Sequence, residues 1–212
     1  MEVILNGDAQ QFDPSSCTNL AELVSAAGQA GQAGEDANEN VIIGIEVDGR
    51  ALDPEELSAL ESLSLQGVLK VSIQERPATD VARSVLDQAA DYTGEICQAI
   101  AATVEHYRSG RSDLGAELLA NVTDSMSVLT GITYSVSNVL LRESEILAAV
   151  QSKIYPWLEE LVEAQSAEDP IRIADALEYE VAPRIEEWGT TMRKLKNGTQ
   201  EFDIAGEAPH SN

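Results

Sequence analysis

The sequence predicts an α+β protein: a small β-rich N-terminal domain over residues 1–77, then an antiparallel four-helix bundle over residues 78–198. Three observations carry this prediction. Before Pro77 the apolar residues fall in short β-branched runs separated by turn-forming pairs. After it they recur every three to four residues over long stretches. Of the 212 residues 43% are hydrophobic but only 4% aromatic, so a core exists and aliphatic packing dominates it.

The N-terminal elements follow in order. Glu2 to Asn6 reads as a strand, Gly7 and Asp8 supply turn chemistry, and Gln10 to Phe12 reads as a short return strand. Leu20, Leu23, Val24 and Ala27 give a helix, with Ser16 or Thr18 as N-cap. Gly28, Gly31 and Gly34 close it and open a polar loop through Glu39. Val41 to Val47 is β-branched, and Asp48-Gly49 after it is the strongest hairpin signal in the chain. Arg50 to Leu52 returns, and Asp53-Pro54-Glu55-Glu56 starts a short helical turn. Val68 to Ile73 alternates, with Leu69, Val71 and Ile73 on one face.

Pro77 restricts Arg76 to extended backbone and suits a helix start. The first long helix spans 78–108, with Val81, Val85, Ala89, Tyr92, Ile96, Ile100, Val104 and Tyr107 on its stripe, and Ser109-Gly110 ends it. The second spans 112–141, capped by Ser112, with Leu114, Leu118, Val122, Met126, Leu129, Val136 and Leu140. The third spans 143–167, with Ile146, Val150, Ile154, Trp157, Leu161 and Val162. The fourth spans 170–195, with Ile173, Leu177, Val181, Ile185, Trp188, Met192 and Leu195. Short polar turns between them argue for up-down-up-down packing. Pro156 and Pro183 are interior prolines that bend or split their helices. The polar residues 199–212 read as a disordered tail.

The order of hairpin, helix, strand, turn, short helix and strand resembles the β-grasp, or ubiquitin-like, arrangement. It rests on the Glu2–Asn6 strand, the helix from Thr18, the Val41–Val47 strand with its Asp48-Gly49 turn, and the closing Val68–Ile73 strand. Ile73 is followed by Gln74-Glu75-Arg76-Pro77 rather than a Gly-Gly end, so the resemblance implies a binding module rather than a carrier. The long acidic helices with spare apolar faces resemble, in general style, bacterial secretion and flagellar export chaperones.

Charge excludes several functions. The chain has 13 Lys+Arg against 37 Asp+Glu, a net −24. Nucleic-acid binding needs clustered cations, and anionic lipid repels such a chain. No apolar run reaches 18 residues, and MEVILNGDAQ lacks a signal peptide's basic and apolar regions. A cytoplasmic protein is expected, with Cys17 and Cys97 as reduced thiols.

Residues with catalytic or ligating chemistry are sparse. His106 reads as a boundary residue beside a helical stripe, and His210 lies in the tail. No Gly-x-Ser-x-Gly elbow exists. The one Glu-x-x-His spacing, Glu207 to His210, contains Pro209 and lies in the tail, so no helical metal pair is expected. Glu159-Glu160-Glu163, Glu178-Glu180 and Glu186-Glu187 read as solvated faces. Gly28, Gly31 and Gly34 have the wrong spacing and context for a phosphate loop. No cofactor is expected. Arg193, Lys194 and Lys196 suit a helix C-terminus.

Apolar surface is the remaining resource. The second helix is apolar around much of its circumference from Met126 to Leu141, which means either central packing or cover by a partner. The expected reading is a non-enzymatic interaction module, adaptor or chaperone-like, whose partner is another protein or a second copy. Met126, Tyr134, Leu140, Leu141, Tyr155, Trp157 and Trp188 are the candidate partner-binding residues. A ligand-binding protein or enzyme with a site at the domain seam, and a homodimeric structural component, stand as alternatives.

Overall fold

A computed structural model describes residues 1–10, 13–31 and 40–196, and the side chains of all of these but 29–31. Expectations for Gln11, Phe12, the loop through Glu39 and the tail with Glu207 and His210 lie outside the described residues. The chain is α+β, with two units, Met1–Val81 and Ala82–Asn212.

In the first unit β1 (Glu2–Leu5), β2 (Asp8–Ala9), β3 (Asn40–Val47), β4 (Arg50–Ala51) and β5 (Lys70–Pro77) form one sheet in the order β2-β1-β5-β3-β4. β1 runs parallel to β5, and the other pairs are antiparallel. Two hairpin turns, Asn6-Gly7 and Asp48-Gly49, have positive φ at both residues, which matches strand twist. Their side chains also hold the central strand. Asp48 Oδ1 accepts from the Leu69 and Lys70 amides at 3.0 and 2.8 Å, and Asn6 Oδ1 accepts from the Glu75 amide at 2.8 Å. Because the first turn is Asn6-Gly7, the return strand described is Asp8–Ala9, and Gln10 is not part of it.

Helix α1 (Leu20–Gly31) buries Leu20, Leu23, Val24 and Ala27 against Val3, Leu5, Ile45, Val71 and Ile73 of the sheet. Its cap is Asn19, whose side chain accepts from the Glu22 amide at 2.9 Å, while Glu22 accepts from Thr18. Leu69, expected inward, is 76% exposed because it precedes β5. Helix α2 (Pro54–Ser58) is closed by a reciprocal Asp53–Glu56 capping box. Glu56 is held down to about 2 by the Arg50 guanidinium and then by the Asp53 amide.

The second unit is helical. Helix α3 (Ala78–Arg108) follows β5 directly, and α4 (Ser112–Ser137) follows after a short turn. Both stripes are offset by one residue from expectation at their first halves. Ala82 and Leu86 are buried while Val81 and Val85 are half-buried. In α4, Gly115 and Leu119 face inward and Leu114 is exposed. In α4 the reason is a contact with the preceding helix: Gly115 lies under the Tyr107 ring, where a Cβ would stand 3.0 Å from ring carbons. Ser112 opens α4 as its first residue without capping it.

The expected third helix is two helices, α5 (Ser144–Ser152) and α6 (Tyr155–Ser166). Pro156 sits in the first turn of α6, where its missing N–H goes unneeded. Val162, expected inward, is exposed, and Ala164 takes its place in the core. The fourth stays helical through Pro183, as α7 (Pro170–Asp175), a π-helical turn at Ala176–Val181, and α8 (Ala182–Lys196). In the π turn the Ala182 amide donates to the Leu177 carbonyl, five residues back. The wider turn spares Pro183 a clash with the carbonyl four residues earlier. Arg184 also donates to the Glu180 carbonyl at 2.6 Å.

The stripe of this run explains the same turn. Ile173, Leu177, Val181 and Ile185 are all buried, at three successive spacings of four. An α-helix drifts about 40° per step of four, so three such steps would carry the stripe about 120° off the core. One wide turn removes that drift.

Helices α3 and α7–α8 run antiparallel, since Arg108 reaches Asp175 while Lys196 reaches Asp87 at 2.5 Å. They touch where Gly189 meets Thr93: a Cβ on Gly189 would collide with Thr93 Oγ1 and stand 3.3 Å from the Ala90 carbonyl oxygen. Gly189→Ala should therefore cost about 1–3 kcal/mol by overpacking. Gly131→Ala in α4, whose Cβ meets nothing within 4 Å, should be neutral or gain up to about 1 kcal/mol. Urea unfolding of both variants checks this, and equal destabilisation would contradict the packing described.

Candidate interaction surface

Helix α4 turns one stripe to the core and leaves apolar side chains outside. Met126, Leu129, Thr133 and Val136 are buried, whereas Val128 and Tyr134 are exposed, Tyr134 by 70%. The helix is therefore not enclosed by the fold. Between α4 and α5–α6 lies a groove of about 700 Å³. Ser127, Thr130, Gly131 and Ser137 of α4 form one wall with Tyr134, and Ser144, Glu145, Ala148 and Gln151 form the other with Tyr155. The small residues keep the floor low, and the two tyrosines stand over it. The Gln151 amide fixes Tyr155 by donating to its hydroxyl at 3.0 Å. Leu141, 72% exposed, borders the same end, its carbonyl accepting from Ser144 Oγ at 2.8 Å.

Of the seven candidate residues, Tyr134 and Tyr155 thus line one groove, and Leu141 is exposed without being part of its lining. Three others belong to the core and offer a partner nothing: Met126, Leu140 and Trp188. Leu140 follows the last turn of α4, where its amide still donates to the Val136 carbonyl at 2.8 Å, so its side chain continues the inward stripe. Trp188 is 1% exposed, the largest wholly buried side chain. Trp157 is half-buried and lies elsewhere, its ring stacked under the Arg184 guanidinium at 4.9 Å. The groove's floor was missed by sequence reasoning. Its signal was the Gly131-Ile132-Thr133 break in the helical pattern.

A second cavity of about 440 Å³ is lined by Trp157, Ile171 and Tyr179 with Glu160, Asp175 and Glu180. Its carboxylates are engaged. Arg172 holds Glu160 at 2.5 and 2.9 Å and Glu163 at 3.0 Å, Arg184 holds Glu180 at 2.8 Å, and Arg108 holds Asp175 and Glu178. The bidentate pair pulls Glu160 below the usual carboxylate range. Among the described residues no group of three or more His, Cys, Asp or Glu converges as a metal site. His106 is half-buried, with Nδ1 lacking a partner. Arg193 and Lys196 bind Asp91 and Asp87 of α3.

These helices define an acidic helical unit with an apolar groove on its outside. The chain belongs to the family described as a domain of unknown function (DUF8042), whose model matches residues 84–191, from α3 into α8. No curated protein and no solved structure matches the chain. No helix among the described residues is long and apolar enough to cross a membrane.

Both cysteines are free thiols. Cys97 faces the α3–α8 side, where burial and then Glu186 push its thiol up to about 11. In a Cys17→Ser variant, iodoacetamide should label Cys97 about 100-fold more slowly at pH 8 than an unperturbed thiol, since only the thiolate reacts. The rate should climb about tenfold per pH unit beyond pH 9. A plateau by pH 9 would contradict the burial.

Proposed function

We propose that the chain is a non-enzymatic protein-interaction module, adaptor or chaperone-like, which receives an amphipathic helix of a partner in the groove between α4 and α5–α6. The observation that carries this reading is the pair of exposed tyrosines over a floor of small residues. Helix-in-groove capture needs such a channel: a low floor for the incoming backbone and aromatic walls for its apolar anchors. Tyrosine supplies large contact area at low entropic cost. The acidic exterior, to which Glu145 in the groove wall adds, then rejects acidic competitors by charge.

Two finer readings of architecture go with this. The sheet order β2-β1-β5-β3-β4, with α1 across one face, supports a β-grasp head acting as a binding module. The single apolar core running through α3, α4, α5–α6 and α7–α8 supports a four-helix bundle whose third member is broken at Pro156. A soluble, cytoplasmic setting fits both.

Photo-crosslinking tests the groove. Benzoylphenylalanine at position 134 or 155 should trap one partner in cells. The same group at position 114, about 30 Å along α4 from position 134, should not. Tyr134→Asp and Gly131→Gln should each reduce capture at least tenfold, with melting unchanged because neither site touches the core. Crosslinks from 134 only to another copy would favour the homodimeric component instead. Equal labelling from 114 and 134 would defeat the groove reading.

A further inference from the structure

Strand β3 has two sides, and they are not equally used. Toward β5 it pairs along its whole length, from Asn40 opposite Pro77 to Val47 opposite Val71. Toward the outside β4 covers only its end: Glu46 pairs Ala51, Val47 pairs Arg50, and the Leu52 amide donates to the Ile45 carbonyl at 2.9 Å. Among the described residues no strand pairs the outer side of Asn40 to Gly44. That is about 17 Å of open strand edge.

Of the usual guards the stretch carries a bulge alone. Sheet edges are normally blunted by charge, by proline or by an inward lysine. Here the side chains are Asn40, Val41, Ile42, Ile43 and Gly44, with no charge and no proline. Val41, Ile42 and Ile43 are each more than a third exposed. The one irregularity is a bulge at Ile43, where the register against β5 skips a residue.

We propose that this edge accepts an extended segment of another protein as a sixth strand. The occupant's form follows from the edge itself, because outward N–H and C=O groups are satisfied in register only by another strand. Its side chains alternate, β-branched residues packing on the exposed valine and isoleucines. Its ends are basic. Arg50, Lys70 and Arg76 are the only cations of residues 1–77, against 14 acidic residues. Lysine or arginine flanks offset that excess, whereas a second copy would bring the same carboxylates to the junction. The edge lies in the first unit and does not depend on the α4 groove, so Tyr134→Asp leaves it intact.

The test uses a random linear peptide library displayed on phage, panned against the full chain. Enriched peptides should alternate Val, Ile or Thr and end in Lys or Arg. A synthetic peptide of the enriched sequence should slow amide exchange within residues 40–44 of the labelled full chain and leave α4–α6 unchanged. Ile43→Pro should weaken that peptide at least tenfold, since proline is tolerated at a bulge but offers no N–H. Should that variant unfold, the exchange pattern of the unmodified chain decides. No enrichment, or peptides that protect no amide within 40–44, overturns the proposal. So does a concentration-dependent dimer that protects these amides without peptide, which assigns the edge to a second copy.

Discussion

The close approach of α8 to α3 at Gly189 sets the geometry of the helical unit. With no side chain between them, the backbone of α8 comes down onto Thr93 and Ala90. Trp188, the neighbour of that glycine, fills the adjoining core. The pair is then pinned at both ends by charge: Arg193 and Lys196 reach Asp91 and Asp87, and Arg108 reaches Asp175 and Glu178. Solvent screening leaves each of these exposed pairs little to contribute to stability. Their effect is on register rather than on stability. They occupy cations that a chain of net −24 has in short supply.

That arrangement divides the helical surface. Acidic side chains with arginine partners cover α6, the π turn and the start of α8, while the side between α4 and α5–α6 carries serine, threonine, glycine, alanine, glutamine and tyrosine with the single carboxylate of Glu145. A channel whose lining holds a single charge, Glu145, on a strongly acidic body is selective in a simple way: acidic helices are repelled before contact. On the reading proposed, the groove supplies affinity and the surrounding carboxylates supply discrimination.

Much of this was legible in the sequence where the physics is local. Asp48-Gly49 announced its turn because both positions need positive φ. Asp53-Pro54 announced a helix start, and the structure closes it with the Asp53–Glu56 capping box. Every stripe residue of the last helix, Ile173 to Leu195, is buried as expected. What failed depended on neighbours distant in sequence. Leu119 rather than Leu118 faces inward because Gly115 must fit beneath Tyr107. Met126, Leu140 and Trp188 stood both on their helix stripes and among the partner-binding candidates, because an apolar residue on a helix does not say whether its own fold or a partner covers it; the fold covers all three. That no strand among the described residues pairs the outer side of Asn40 to Gly44 was invisible, since it follows from β4 being two residues long.

The π turn before Pro183 also limits what the chain tolerates at that point. A turn that holds one residue more than its neighbours is removed by deleting a single residue. That deletion would rotate everything beyond by about 100°, swinging Trp188 out of the core. Between Asp175 and Ile185 the number of residues is therefore constrained as strictly as their kind.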